Sequence, residues 1–402
     1  MLSKDGLKTV LAAWNFWNTQ APPSIPRRIL KKKWDWDPEL ILVIQGVRRC
    51  GKSTLLTQIM TQKKIRPTAC YFINFEDPRL SEDLTPKLLD TLVALAKAEN
   101  KENTPLYFFL DEIQVVDDWE KWLHKQVERP STNHFVVTGS NATLLGGRMS
   151  TALTGRHRTM ELFPFDYLEY KMAVREGSFE DYLTHGGFPK VLRVSEKDEL
   201  LREYFIDIIE RDVRRHVSTR VPQTLLLIAK AVFESMATEM SLRKLARLFG
   251  STADTVGTFV EALCASYLIM ECPFFTFSQR KSLVRPSKYF PIDTGLHRSV
   301  ITRSGADREK YLETIVFHLL KKRFRTVSYW RAKHEVDFVV QDGNSVLPIQ
   351  VTWEGIKERH LLALKEFHRE FPQAENGVCI TRNNIEEVLR HETFANHLFT
   401  RL

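Results

Sequence analysis

The sequence predicts an α/β protein built on a parallel sheet covered by helices, with smaller units following it. Three observations carry that expectation. A glycine-bracketed loop, Gly46-Val47-Arg48-Arg49-Cys50-Gly51-Lys52-Ser53, stands between an apolar run and a helical pattern. Short apolar runs that end in polar residues alternate with helical patterns across residues 69–164. One of these runs, LYFFLDE at 106–112, delivers two adjacent carboxylates, Asp111 and Glu112, at its end.

Residues 1–37 read as an extension: a short amphipathic stretch from Val10 to Trp17, then the proline-marked APPSIPRR and the basic KKKWDWD, a linker with a solvated charged face. The core follows over 38–165. ELILVIQG is a buried strand and STLLTQIM starts a helix. ACYFINFED (69–77), LYFFLDE (106–112) and HFVVTGS (134–140) are the next strands, separated by the helical patterns LTPKLLDTLVALAKAE and DDWEKWLHKQVE. RTMELFP (158–164) closes the sheet. Residues 166–220 read as a charged helical linker or lid with a break at Gly186-Gly187. Within 221–290, SLRKLARLFGSTADTVGTFVEALCASYLIM reads as helix, glycine turn, helix and strand, the spacing of a winged helix-turn-helix. Such units serve either as DNA readers or as protein joints. The last segment, 291–402, mixes a helix from Glu309 to Arg323 with the strands VSYWRA, EVDFVVQ and VLPIQVT, then helix and strand again.

Composition narrows the classes. A chain of 402 residues has room for two to four domains, and 43% hydrophobic residues is ordinary for a globular protein. The net charge of +8 leans toward a polyanionic partner. Cys50, Cys70, Cys264, Cys272 and Cys379 are scattered and odd in number, which indicates neither a disulfide framework nor a zinc site and suits a reducing cytosol. No apolar run is long enough to span a bilayer and no signal-peptide pattern opens the chain, so the expectation is a cytoplasmic protein without a membrane partner.

The loop has the spacing G-x-x-x-x-G-K-[ST], in which glycines let the backbone wrap a phosphate with its N–H groups turned inward. The nucleotide-binding residues expected are Gly46, Val47, Arg48, Arg49, Cys50, Gly51, Lys52, Ser53 and Thr54. Lys52 meets the β and γ phosphates, Ser53 offers its hydroxyl to Mg²⁺, and the helix from Thr54 aims its positive end at the same anion. Asp111 at a strand end holds the Mg²⁺ shell, and Glu112 polarises the attacking water as general base. On the neighbouring strand Ser140 and Asn141 reach the same edge, where Asn141 either senses the γ-phosphate or caps the next helix. Glu76 and Asp77 either approach that edge or act as caps. A rigid cation is still needed for charge developing on the transferred phosphoryl group; Arg148 and Arg156 are the candidates and Arg156 is preferred, acting in its own subunit or in a neighbour's.

GVRRCGKSTLL, NFEDPRL, FFLDEIQVVDDWEKWL, VVTGSNATLL, LTGRHRTMELFPFDYLEY, YLTHGGFP, KYFPIDTGL and EVDFVV occur in this order. Together they resemble short prokaryotic AAA-superfamily ATPases fused to a C-terminal domain of unknown function, over about residues 38–355. The resemblance implies a P-loop, additional-strand ATPase core with sheet order 5-1-4-3-2, a winged helix, and a restriction-endonuclease-like, PD-(D/E)XK-type end. It gives Lys52, Ser53, Asp111, Glu112 and Asn141 the Walker A, Walker B and sensor roles, and puts Arg156 on the family's Gly-Arg pair.

Restriction-type nucleases hold metal with an acid on one strand and [D/E]-x-K on the next. The matching pieces here are Glu313, Asp337 and Gln350-Val351-Thr352, in which neither Gln350 nor Thr352 supplies the needed charge. The expectation is a domain that grips nucleic acid without cutting it. Basic clusters at 27–33, 211–215, 242–248, 280–288 and 321–325 suit contact with a phosphate backbone. Three functions follow: an ATPase that binds or remodels duplex or branched DNA, a nucleotide-dependent switch or scaffold with a protein partner, and an ATP-gated nuclease in which a residue such as Lys357 replaces the missing lysine. Arg156 acting on a neighbour would make the active form a homo-oligomer, a ring.

Overall fold

The structure is a computed structural model that describes residues 3–15, 23–31, 36–102, 104–128, 131–140, 155–217, 222–301, 307–391 and 400–401. The chain divides into two compact units, Met1–Phe163 and Pro164–Leu402.

In the first unit, α1 (Lys4–Trp14) precedes β1 (Ile41–Gln45), α2 (Lys52–Gln62), β2 (Cys70–Asn74), α3 (Pro86–Glu99), β3 (Tyr107–Asp111), α4 (Trp119–Glu128), β4 (His134–Gly139) and β5 (His157–Glu161). The five strands form one sheet in the order β2-β3-β4-β1-β5, every neighbouring pair parallel. This is the expected order, read from the other edge. β1 is buried at all five positions, which is why it reads as an unbroken apolar run rather than an alternation. Parallel strands end at a common edge. The register sets Asn74 beside Asp111 and Gln45 between Gly139 and Glu161, so the polar residues that follow each strand meet there.

The first 37 residues were expected to be an extension, but α1 folds onto this unit. Its Leu7, Val10 and Leu11 join the core formed by α3 and β2, and Trp14 Nε1 donates to Asp77 Oδ2 at 2.8 Å. The amphipathic face supplies the reason: buried against the sheet it shields apolar surface that would otherwise face water.

The second unit opens with three short helices, α5 (Tyr167–Ala173), α6 (Phe179–His185) and α7 (Lys197–Ile208), the first two started by reciprocal caps from Asp166–Glu169 and Ser178–Asp181. Next come α8 (Pro222–Glu234), β6 (Glu239–Met240), α9 (Leu242–Leu248), α10 (Ala253–Ala265), β7 (Ile269–Cys272), α11 (Gln279–Val284) and β8 (Ser287–Pro291). Its three strands pair antiparallel in the order β6-β8-β7. After α12 (Thr294–Val300) and α13 (Arg308–Arg323), β9 (Thr326–Arg331), β10 (Glu335–Asp342) and β11 (Ser345–Thr352) form an antiparallel meander. α14 (Glu358–Glu370) then leads to β12 (Val378–Thr381), which lies parallel to β11, followed by α15 (Ile385–Arg390) and β13 (Thr400–Arg401).

The Gly186-Gly187 break is a close-packed joint. A Cβ on Gly187 would lie 2.1 Å from the carbonyl oxygen of Phe165, and one on Gly295 would lie 2.3 Å from the carbonyl group of His185. Asp293 fastens it, accepting from Gly187 N at 2.7 Å and from Leu296 N at 2.8 Å.

Candidate nucleotide site

The loop after β1 is held from several sides. Gly51 takes φ 98° at the start of α2, and Arg49 takes φ 72°, the left-handed conformations that turn the backbone around the loop. Gly46 sits so close to the chain after β5 that a Cβ would fall 2.0 Å from Leu162 O. Arg27 grips the loop, donating through Nη1 to Cys50 O at 2.9 Å and through Nη2 to Phe163 O at 2.7 Å. Arg48 is turned to Glu76, whose carboxylate it meets with both terminal nitrogens at 3.1 and 2.8 Å. The Cys50 thiol is buried, and that burial pushes its pKa up in spite of Lys52 and Arg27 nearby, leaving it an unreactive packing residue.

Lys52 is buried over its own loop. Its Nζ donates to Gly46 O at 3.1 Å and Val47 O at 3.4 Å, and stands 3.6 Å from Glu112 Oε1. Ser53 Oγ donates to Asp111 Oδ2 at 2.7 Å. Asp111 is fully buried and further held by Asn74 Nδ2 at 3.0 Å and by the Thr138 hydroxyl. Burial, then the charge of Glu112, raise its pKa to about 6, against hydrogen bonds from Thr138 and Ser53 and the charge of Lys52. A cation bound there would oppose that rise and hold the carboxylate ionised. Glu112 adopts φ 55°, a costly conformation for a non-glycine residue, kept in place by its N–H to Thr138 Oγ1 at 3.0 Å. Its Oε2 accepts from Gln114 Nε2 at 2.6 Å.

Magnesium fits these donors. Ser53 and Asp111 offer adjacent hard oxygens, and no group of three or more His, Cys, Asp or Glu among the described residues forms a self-sufficient metal cage. Mg²⁺ is bound in that way, through one or two side chains together with phosphate oxygens and water.

The other expected site residues divide. Gly46, Val47, Arg48, Arg49, Cys50, Gly51, Lys52, Ser53, Thr54, Asp111 and Glu112 converge at one sheet edge. Ser140 is buried at the same edge after β4. Glu76 reaches the loop through Arg48, whereas Asp77 caps the turn at Pro78–Leu80. Asn141 and Arg148 lie outside the described residues. Arg156 is at the opposite edge: its carbonyl accepts from Ile41 N at the start of β1, and its guanidinium lies 3.3 Å from Glu128 at the end of α4. The five residues of β1 put roughly 15 Å between it and the phosphate loop of its own chain. The sequence reading passed over Asn74, Thr138 and Gln114 and placed Arg27 only in a basic cluster; all four hold the named residues in place.

In the second unit Gln350 Nε2 donates to Glu335 O at 2.9 Å and Thr352 Oγ1 to Gly355 O at 3.1 Å, so both serve the backbone. Lys357 pairs with Glu354 at 2.7 Å. The lysine beside the acids is instead Lys288, which is 1% exposed and bonded to Glu335. Burial lowers its pKa, but Glu313, Glu335 and Asp337 outweigh that and hold it above the ordinary lysine value.

Residues 38–171 match the sequence model of a family described as AAA domain; 176–307 and 308–396 match two models described as domains of unknown function. An uncharacterized protein of Haemophilus influenzae is 27% identical over 356 residues, 83% of this chain and 88% of the relative. A second, from Methanocaldococcus jannaschii, is 29% identical over 360 residues, 82% of this chain and 79% of the relative. Among solved structures, that of Cdc6p from Pyrobaculum aerophilum is 11% identical, covers 75% of this chain and 97% of its own, and superposes with a TM-score of 0.31. The sheet order, the phosphate loop and the AAA match agree: the first unit has the AAA-type P-loop fold.

Proposed function

We propose that this chain binds ATP with magnesium and hydrolyses it, and that turnover is coupled to holding or remodelling duplex or branched DNA. The observation that carries the first half is the contact of Ser53 with Asp111 at the phosphate loop, with Glu112 facing Lys52 beside it. The loop N–H groups and the start of α2 bind phosphate, and Lys52 exchanges its carbonyl and Glu112 partners for the β and γ oxygens. Glu112 takes the proton of the attacking water, its carboxylate set by Gln114 and its backbone by Thr138. Bound magnesium supplies charge neutralisation on the phosphate oxygens. Arg156, remote from its own loop, completes the site of a neighbouring copy, so the active form is a homo-oligomer. Asn141 is proposed as the γ-phosphate sensor.

Support for the DNA half comes from charge and element order. The net charge is +8. The run α8-β6-α9-α10-β7-β8 with sheet order β6-β8-β7 supports a winged-helix reading, and α13-β9-β10-β11-α14-β12 supports a restriction-endonuclease-like one. Gln350 and Thr352 are engaged with backbone and Lys288 is closed off, which favours gripping over cutting.

Turnover and nucleotide binding by two variants test the reading. Lys52→Ala is expected to lose both, and Glu112→Gln to bind ATP normally while hydrolysing it at least about a hundredfold more slowly. Equal loss of binding in both variants refutes the roles. A rate that added duplex or branched DNA leaves unchanged transfers support to the switch with a protein partner.

A further inference from the structure

Of the five basic clusters, three have members engaged within the fold, although Arg211, Arg215 and Arg325 stay exposed. Arg27 is buried against the loop, Arg214 pairs with Glu210, and Lys322 and Arg323 reach Asp166 and the carbonyl of His391. In the other two, Lys288 is buried against Glu335 and the remaining cations are exposed. On α9, Arg243, Lys244 and Arg247 are exposed; on the chain between β7 and β8, Arg280, Lys281 and Arg285 are exposed. None of these six pairs with a carboxylate among the described residues, and neither LRKLARL nor the stretch 273–287 contains an acid. The pairing of Met240 with Ser287 makes α9 and the β7–β8 connection leave the same end of the small sheet.

The carboxylates on β6 and β7, Glu239 and Glu271, are already used. Glu239 accepts from Tyr329 at 3.1 Å and from Arg331 at 3.5 Å, and Glu271 accepts from Ser287 at 2.6 Å. Three exposed apolar residues, Leu248, Phe277 and Val284, lie within the strip, suited to the sugar faces between phosphates. By contrast α10, the second helix of the turn, carries no lysine or arginine, and its exposed residues include Asp254 and Glu261. A helix presenting those charges is repelled by a phosphate backbone.

We propose that duplex DNA docks by its phosphate backbone along α9 and the β7–β8 connection, with α10 contributing no base contacts. This rests on the DNA reading above and assigns it a surface. It predicts binding that is salt-dependent and indifferent to sequence.

The test is fluorescence anisotropy of the full chain with labelled mixed-sequence duplexes over a range of salt. R243Q/K244Q/R247Q and R280Q/K281Q/R285Q should each weaken binding at low salt by about tenfold or more and flatten the slope of log affinity against log salt by about two to three. T255A/T258A on α10 should leave both unchanged, and duplexes of different sequence should bind alike. Thermal melting checks that each variant is folded. The assignment is overturned if folded triple variants keep the slope, if the α10 variant loses affinity, or if polyglutamate or anionic vesicles compete as well as DNA at equal charge. Should the unaltered chain bind no duplex, the DNA reading itself falls; binding that ignores both triples removes only this surface.

Discussion

Gln114 shows how a single amide can act on a carboxylate two residues away, here the proposed general base Glu112. Its Nε2 holds Glu112 Oε2 at 2.6 Å, while its own Oε1 is buried without a partner among the described residues. A methionine would fill the space without stranding an acceptor, so the amide's contribution is its donor. Gln114→Met is therefore expected to lower ATP turnover by about tenfold with half-saturating ATP changed by less than about twofold, read from steady-state rates. Lys52, Ser53, Asp111 and Glu112 were legible in the sequence because fixed spacing and a strand end specify them. Gln114, Asn74 and Thr138 were not, since they act across strands or back along a turn, and only the register Asn74 to Asp111 reveals the contact. Arg156 was legible as a cation, but the edge it occupies depends on where β5 begins.

At the scale of elements, the joint around Gly187 and Gly295 explains two motifs that chemistry alone left idle, YLTHGGFP and KYFPIDTGL. Gly295→Ala puts a methyl group against the backbone of His185, which cannot give way as a flexible side chain would. The expected cost is about 3 kcal/mol, seen as a lowered melting transition. Burial raises the Asp293 pKa from 3.8 to about 6, in spite of the backbone N–H groups it accepts from. The folded state thus holds this proton more tightly than the unfolded chain does, so its contribution to stability is full below about pH 4 and lost as pH rises through about 6. Relative to Asp293→Asn, the native chain should lose about 2 kcal/mol between pH 4 and 7, measured by denaturant unfolding. The apolar runs foretold the parallel sheet, because buried parallel strands announce themselves in that way, whereas its order came from the resemblance to AAA-superfamily ATPases. The sequence reading named an amphipathic stretch from Val10 to Trp17 without its place in the fold; α1 runs Lys4–Trp14, and its Leu7, Val10 and Leu11 join the core.

For the molecule as a whole, the proposed use of Arg156 by a neighbour makes a definite demand. Arg156→Ala and Lys52→Ala should each be inactive alone, but mixing them should restore about a quarter of the native rate, since one partner retains the loop and the other the arginine. Activity of Arg156→Ala by itself, or no recovery on mixing, excludes this.

With the phosphate loop at one end of the strands and Arg156 at the other, the first unit has a head and a tail. Copies queuing in single file would leave the last receptor unserved, so a row of n has n − 1 furnished loops until its ends join. Output per copy should then climb with concentration and level off once the circle is complete.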